Sequence, residues 1–355
     1  MSDGAAMASP ASADGPVRVE QAVPDRDWLA RAVDEEVIEP GLAVVDPHHH
    51  FSDHWGGYFG ADLVADLGSG HAVLATVYVQ CGHGYDHALG PDLAPVGETA
   101  TALRIAGGVQ HLAPDTRLCG GIVGFADLGL GREVDAVLAA HVEAGEGRFR
   151  GIRRSAARDD GFRYGVLAPP PVGLYADAKF RQGVSRLGRF DLSFDALCYH
   201  PQLGEFTGLA AALPGVRMVL NHTGMPLGVG PYRDRRHEVF RQWRESMREL
   251  ARCDNVHVKL GGLGTAPCGF DFHAWPRPAS SAELADAWRP YFETCIELFG
   301  AGRCMFESNF PVDKSGTSYR ILWNAFKRIA DGASEDEKLA LFQRTAQACY
   351  GLAAS

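Results

Sequence analysis

The stretch that decides the fold is LAVVDPHHHF, Leu42 to Phe51. A short β-prone run climbs into an aspartate and a proline and then meets three histidines. In a doubly wound α/β sheet, the turn after the first strand normally carries glycines in a GxGxxG pattern, because backbone must approach a pyrophosphate there. Here that turn holds imidazoles. The nearest glycine-rich candidate, LGLGR at 128–132, follows a later run and lacks the last glycine. A dinucleotide-binding sheet is therefore a poor match.

Seven further apolar runs follow: 72–80, 118–128, 149–155, 192–200, 216–224, 256–263 and 303–311. Segments with helical periodicity separate most of them, among them GREVDAVLAAHVEAG, AKFRQGVSRLG and SAELADAWRPYFETCIELFG. Strands that are apolar almost throughout, and that alternate with helices, form a parallel sheet covered on both faces. Eight such units predict an α/β fold, a distorted (β/α)8 TIM barrel in a single domain over residues 41–353, with its active site at the C-terminal ends of the strands. Residues 1–40 read as an N-terminal tail, Ala/Ser/Gly/Pro-rich at its start, followed by a lead-in helix at DRDWLARAVDEEV. Two connections, 156–176 and 264–280, are long enough to serve as lids or substrate-binding loops.

Composition narrows the function classes. The formal net charge is −10, and the basic stretch Arg235–Arg248 is interleaved with acids, so no nucleic-acid partner is expected. No apolar run reaches membrane-spanning length, so no membrane partner is expected either. The eight cysteines form no CxxC pair and several sit inside apolar runs, which suits a reducing cytoplasm. A small-molecule substrate is the expected partner. The sequence leaves the oligomeric state open, and a homo-oligomer is compatible with it.

The polar residues collect at the strand ends. Alternation along the first strand puts His48 and His50 on one side and His49 on the other. The fifth run ends in His200 and the sixth carries His222, so four histidines from three strands stand at one height. Neutral imidazole is a common ligand for zinc and related ions. Arg153, in phase with Gly151, points inward and suits a substrate carboxylate through its bidentate fork. The eighth strand should add a carboxylate to handle the proton of an attacking water. It offers FESNFPVDK instead, with the neutral Asn309 at the expected place. Glu307 lies one rung deeper and is expected to pair with Lys259 of the seventh strand, while Asp313 reads as a solvated loop residue. Glu98 opens a helix, where it serves the helix dipole, and it is also a candidate to face the substrate. Trp55, with His54, His83 and His87, lies in loops at the same rim; packing in a loop is the simpler account of each, and Trp55 is retained as a substrate-binding candidate.

Together the motifs VVDPHHHF, PVGETA, GGIVGFADL, GRFRGIRRS, LNHTGMPLG, VKLGGLG, RCMFESNFPVDK and TAQACYGL resemble the amidohydrolase superfamily. More narrowly they are similar to its branch of TIM-barrel metal-dependent hydrolases related to sugar-acid and pyrone-dicarboxylate lactonases. The resemblance runs from Leu42 to Leu352. It implies hydrolysis of a lactone or amide-like carbonyl and carries roles onto His48, His50, His200 and His222, with Asn309 where the family has an aspartate. The resulting expectation is a hydrolase that opens a small carboxylate-bearing lactone. His48, His50 and His200 would hold one divalent ion, Zn2+, although some relatives work without metal. His222 would act as a further ligand, base or oxyanion donor; Arg153 would orient the substrate, and Asn309 would hold the attacking water. A decarboxylase on the same barrel, or a ligand-binding barrel without chemistry, are the alternatives.

Overall fold

A computed structural model of the chain describes residues 16–165 and 169–352. The tail reading for residues 1–15 lies outside these. The strands are β1 (Val17–Val19), β2 (Ala43–His49), β3 (Ala72–Val79), β4 (Arg117–Gly124) and β5 (Phe149–Ser155), then β6 (Phe162–Tyr164), β7 (Ser193–Leu197), β8 (Met218–Leu220), β9 (Val256–Leu260) and β10 (Cys304–Phe306). The helices used below are α1 (Arg26–Leu29), α2 (Gly60–Leu67), α3 (Val96–Val109), α4 (Asp135–Ala144), α5 (Ala178–Leu187), α6 (Leu203–Ala212), α7 (Arg236–Leu250), α8 (Ser281–Phe299), α9 (Tyr319–Ile329), α10 (Glu335–Leu339) and α11 (Thr345–Tyr350).

Eight strands form one parallel sheet in the order β10-β9-β8-β7-β5-β4-β3-β2. The two edges meet through a bridge between His49 and Phe310. There the Asn309 N–H donates to the His48 carbonyl at 2.9 Å and the His50 N–H to the Phe310 carbonyl at 2.8 Å. The expected (β/α)8 barrel is thus the observed one, and each of the eight runs read from the sequence overlaps one of its strands. Inside the barrel, Val45, Val77, Val79, Val123, Val219 and Met305 pack against the C-terminal residues Cys349, Tyr350 and Leu352, so α11 plugs the N-terminal end. A second, larger core lies between the sheet and the outer helices.

The lead-in helix is shorter than expected. Asp25 caps α1 by accepting from the N–H groups of Asp27 and Trp28, but the helix ends at Leu29. Beyond it the chain is drawn onto α8 and α9. Glu35 accepts from the N–H and hydroxyl of Ser281, and Lys327 donates to the carbonyls of Ile38 and Glu39, both at 2.8 Å. Within the expected span the Glu36 carbonyl accepts from Asn324 Nδ2 at 2.9 Å, a tertiary bond in place of an intrahelical one, and such partners override local helix propensity. Among the described residues no helix is long and apolar enough to cross a membrane, and all eight cysteines are free.

Candidate active site at the barrel mouth

A cavity opens at the C-terminal ends of the strands, lined among others by His50, Trp55, Arg153, Tyr164, His222 and Asn309. Its floor is built from β2. The β2–β3 register slips between Asp46 and His49, where Asp46 faces Thr76 and His49 faces Tyr78. One extra residue on β2 reverses the alternation. Val45 points into the barrel, and after the bulge His48 and His50 do so as well, while His49 faces outward with its Nε2 3.0 Å from the Thr76 hydroxyl.

Three of the four expected histidines come together. The ring of His48 lies 4.9 Å from that of His50 and 4.7 Å from that of His222. His50 Nδ1 is 2.7 Å from the Val79 carbonyl, which fixes its proton there and leaves the Nε2 lone pair free. His222 sits in a left-handed turn, φ 54°, just past the end of β8. Its Nδ1 donates to Glu307 Oε1 at 2.6 Å. The other carboxylate oxygen of Glu307 lies 2.6 Å from His48 Nδ1, yet no donor is aligned on it, and it is fully buried. Ligand atoms of His48, His222 and Glu307 all lie within 4.8 Å of one another. Burial, reinforced by the charge of Lys259, holds His48 well below the usual histidine range; burial and Arg153 do the same to His50. Both imidazoles are therefore neutral and have lone pairs to offer.

His200 stands apart from this group. β7 ends at Leu197, so His200 is not at the strand end but opens a short turn. Its Nδ1 accepts from the Leu227 N–H at 3.3 Å and its ring meets Tyr232 edge-on. The sequence expectation of one height for all four histidines fails here, because the chain leaves the strand three residues earlier than the apolar run suggested.

The Arg153 side chain is buried and inward, as its phase predicted. Its Nη1 lies 3.3 Å from His48 Nε2, its Nη2 donates to the Gln80 carbonyl, and its Nε has no protein partner. Asn309 donates through Nδ2 to Asp313 Oδ2 at 2.6 Å, and its Oδ1 is left buried without a partner. Asp313 is not solvated. It is buried, accepts also from the Gly264 N–H at 2.8 Å, and burial pushes its carboxyl up to about 7. The Glu307–Lys259 pair read from the sequence is replaced by another: Lys259 Nζ lies 3.1 Å from Asp195 Oδ2 on β7. Asp195 is an acid inside an apolar, inward-phased run, a signal the sequence did contain.

Trp55 lines the cavity with its ring 5.6 Å from that of His50. Glu98 does not line it. The Glu98 Oε1 accepts from Tyr78 OH at 2.8 Å and from the N–H groups of Cys81, Gly82 and His83 at 2.7, 2.9 and 3.1 Å, so it ties down the loop after β3. Cys81 reaches the cavity, but burial pushes its thiol up to about 12, which removes it as a nucleophile.

Residues 45–352 match the amidohydrolase family model. Among curated relatives, an uncharacterized protein y4mH of Sinorhizobium fredii is 34% identical over 333 residues, spanning 87% of this chain and 98% of that protein. An L-fucono-1,5-lactonase of Burkholderia multivorans is 29% identical over 320 residues, 88% of this chain and 97% of that enzyme. A crystal structure of an amidohydrolase from Burkholderia multivorans with bound zinc superposes with a TM-score of 0.65 at 25% identity, covering 88% of this chain and all of that one. The chain belongs to the amidohydrolase family and is a hydrolase.

Proposed function

We propose that this amidohydrolase opens a small lactone that bears a carboxylate, with a divalent cation, zinc, held by His48, His222 and Glu307. The observation that carries the reading is the compact His/His/Glu group on the cavity floor directly beside Arg153. The buried Glu307 oxygen without an aligned donor is the kind of atom a cation would satisfy, and neutral histidines with a carboxylate suit zinc. A cation bound there supplies Lewis acidity toward a lactone carbonyl and lowers the pKa of water.

This chain's residues do the rest. Arg153 binds the substrate carboxylate and turns the ring carbonyl toward the floor. His50 Nε2 and the free Oδ1 of Asn309 accept hydrogen bonds from the attacking water and orient it, while Trp55 packs on the ring. Water adds to the carbonyl carbon, the ring C–O bond breaks, and the water's proton passes to the departing oxygen. The lactone class is supported by the relative named a lactonase; the carboxylate rests on Arg153.

The test is metal analysis of purified protein joined to a panel of sugar and pyrone lactones with and without a carboxylate. About one metal per chain is expected, with His48→Ala losing both metal and turnover. Full lactonase activity in metal-free protein would remove the cation from the proposal, and turnover confined to neutral lactones would remove the role given to Arg153.

A further inference from the structure

The segment that precedes the family match reaches the barrel mouth at four places. β1 pairs in parallel with β6, inside the long loop 156–176: Val17 faces Phe162, Arg18 faces Arg163 and Val19 faces Tyr164. Gln21 follows directly. Its Oε1 accepts from the Tyr164 hydroxyl at 2.9 Å and from the Ala266 N–H at 2.9 Å. Its Nε2 donates to the Ser315 hydroxyl at 2.8 Å and to the Val312 carbonyl at 3.3 Å. A primary amide has two donor positions and two acceptor positions, and Gln21 uses all four. The partners belong to three separate loops, those after β5, β9 and β10. Two residues on, Val23 lies over Gly56, where an added Cβ would stand 2.9 Å from Val23 Cγ1.

Each of these contacts backs a wall of the cavity. Tyr164, Thr265 and Val312 line it, and so do His54 and Trp55, beside Gly56. Left to themselves, three loops from three strands would have to be ordered by each arriving substrate, at a cost in binding free energy.

We propose that Gln21 is a positioning residue of the active site: the strap Val17–Val23, which lies outside the catalytic barrel, locks three loops into a preformed roof and so sets how tightly the substrate is held. Gln21 touches neither the metal-binding group nor Arg153, but its two donor contacts flank Asp313, which holds the Asn309 amide, so its effect falls first on substrate affinity and, through that segment, on the placing of the attacking water. The inference does not depend on which lactone is used.

The test compares the full-length protein with Gln21→Leu and Gln21→Glu by hydrogen exchange and by steady-state kinetics on a substrate found in the lactone panel. Leucine removes all four hydrogen bonds. It is expected to speed exchange at Ala266 and around residues 312–316 by about tenfold, and to raise KM by about tenfold with a smaller fall in kcat. Glutamate keeps the two acceptor contacts and loses the two donors. With it, Ala266 should stay protected and only the segment 312–316 should loosen. Unchanged exchange in Gln21→Leu would overturn the proposal, as would a drop in stability with KM unmoved. The exchange measurement needs no substrate, so it decides the role of Gln21 even where the lactone reading fails.

Discussion

Glu307 lies at the centre of the group formed with His48 and His222. Its carboxylate lies 2.6 Å from an Nδ1 of each histidine and is fully buried. A carboxylate in that position fixes ring orientation and raises ligand basicity even where it is not itself bound to metal. Glu307→Gln is therefore expected to lower metal affinity and kcat/KM by about 10- to 100-fold, with the unfolding midpoint little changed. Wild-type metal content and rate in that variant would show that the group is only structural. Strand phase by itself gives the inward side chain of Arg153 and the shared side of His48 and His50, while His222 stands in the turn just past the end of β8. Strand phase puts Glu307 at the right depth but pairs it with Lys259, whereas it meets His48 and His222, because depth along a strand does not tell which neighbour across the barrel a long side chain will reach. Asp313 departs from its expected solvated state for a related reason. A residue after a strand and a proline is ordinarily solvated, yet here the loop folds back and Asp313 turns the Asn309 amide so that its oxygen is left free.

Among the elements, the decisive feature is the bulge between Asp46 and His49. Alternation paired His48 with His50, but without the extra residue the pair would face the outer helices and His49 the cavity. The glycines of VKLGGLG have an equally local explanation. A Cβ at Gly261 would stand 2.5 Å from Glu307 Cγ, and one at Gly262, where φ is +69°, would fall on the His222 imidazole. Both positions keep the backbone of the segment after β9 close enough for the floor to assemble. Gly262→Ala should lower stability by about 1–3 kcal/mol through backbone strain and should displace His222, with a loss of bound metal larger than the loss of stability explains. Equilibrium unfolding beside metal titration measures both. Retained metal affinity in a destabilised protein would argue that His222 lies outside the binding group.

At the level of the whole molecule, one polar group cross-links the otherwise apolar barrel interior beneath the site. Asp195 on β7 accepts from the Ser193 hydroxyl at 2.9 Å, from Asn221 Nδ2 at 3.2 Å and from the Tyr350 hydroxyl at 2.7 Å, and it faces Lys259 Nζ at 3.1 Å. One carboxylate thus joins β7, the turn after β8, β9 and the plug helix α11. Asp195→Ala would leave Lys259 buried and uncompensated, and is expected to cost about 3–5 kcal/mol in urea unfolding. Adding Lys259→Met should recover most of that loss; failure to recover would mean that Asp195 acts through Tyr350 and Asn221 and not through the ion pair.

What the sequence by itself determined was periodic. Apolar runs alternating with helical segments specify a parallel barrel, and a two-residue alternation places polar side chains on one face or the other, because both patterns are properties of neighbouring residues. What only the tertiary structure decided was non-local. Closure of the sheet brought Asn309 against His48 through the hydrogen bond between their backbones. The early end of β7 moved His200 away to Tyr232. Lys259 paired with Asp195 across the interior, and Gln21 found partners more than a hundred residues away. Such pairings depend on which strands become neighbours and where the loops return, and no window of adjacent residues contains that information.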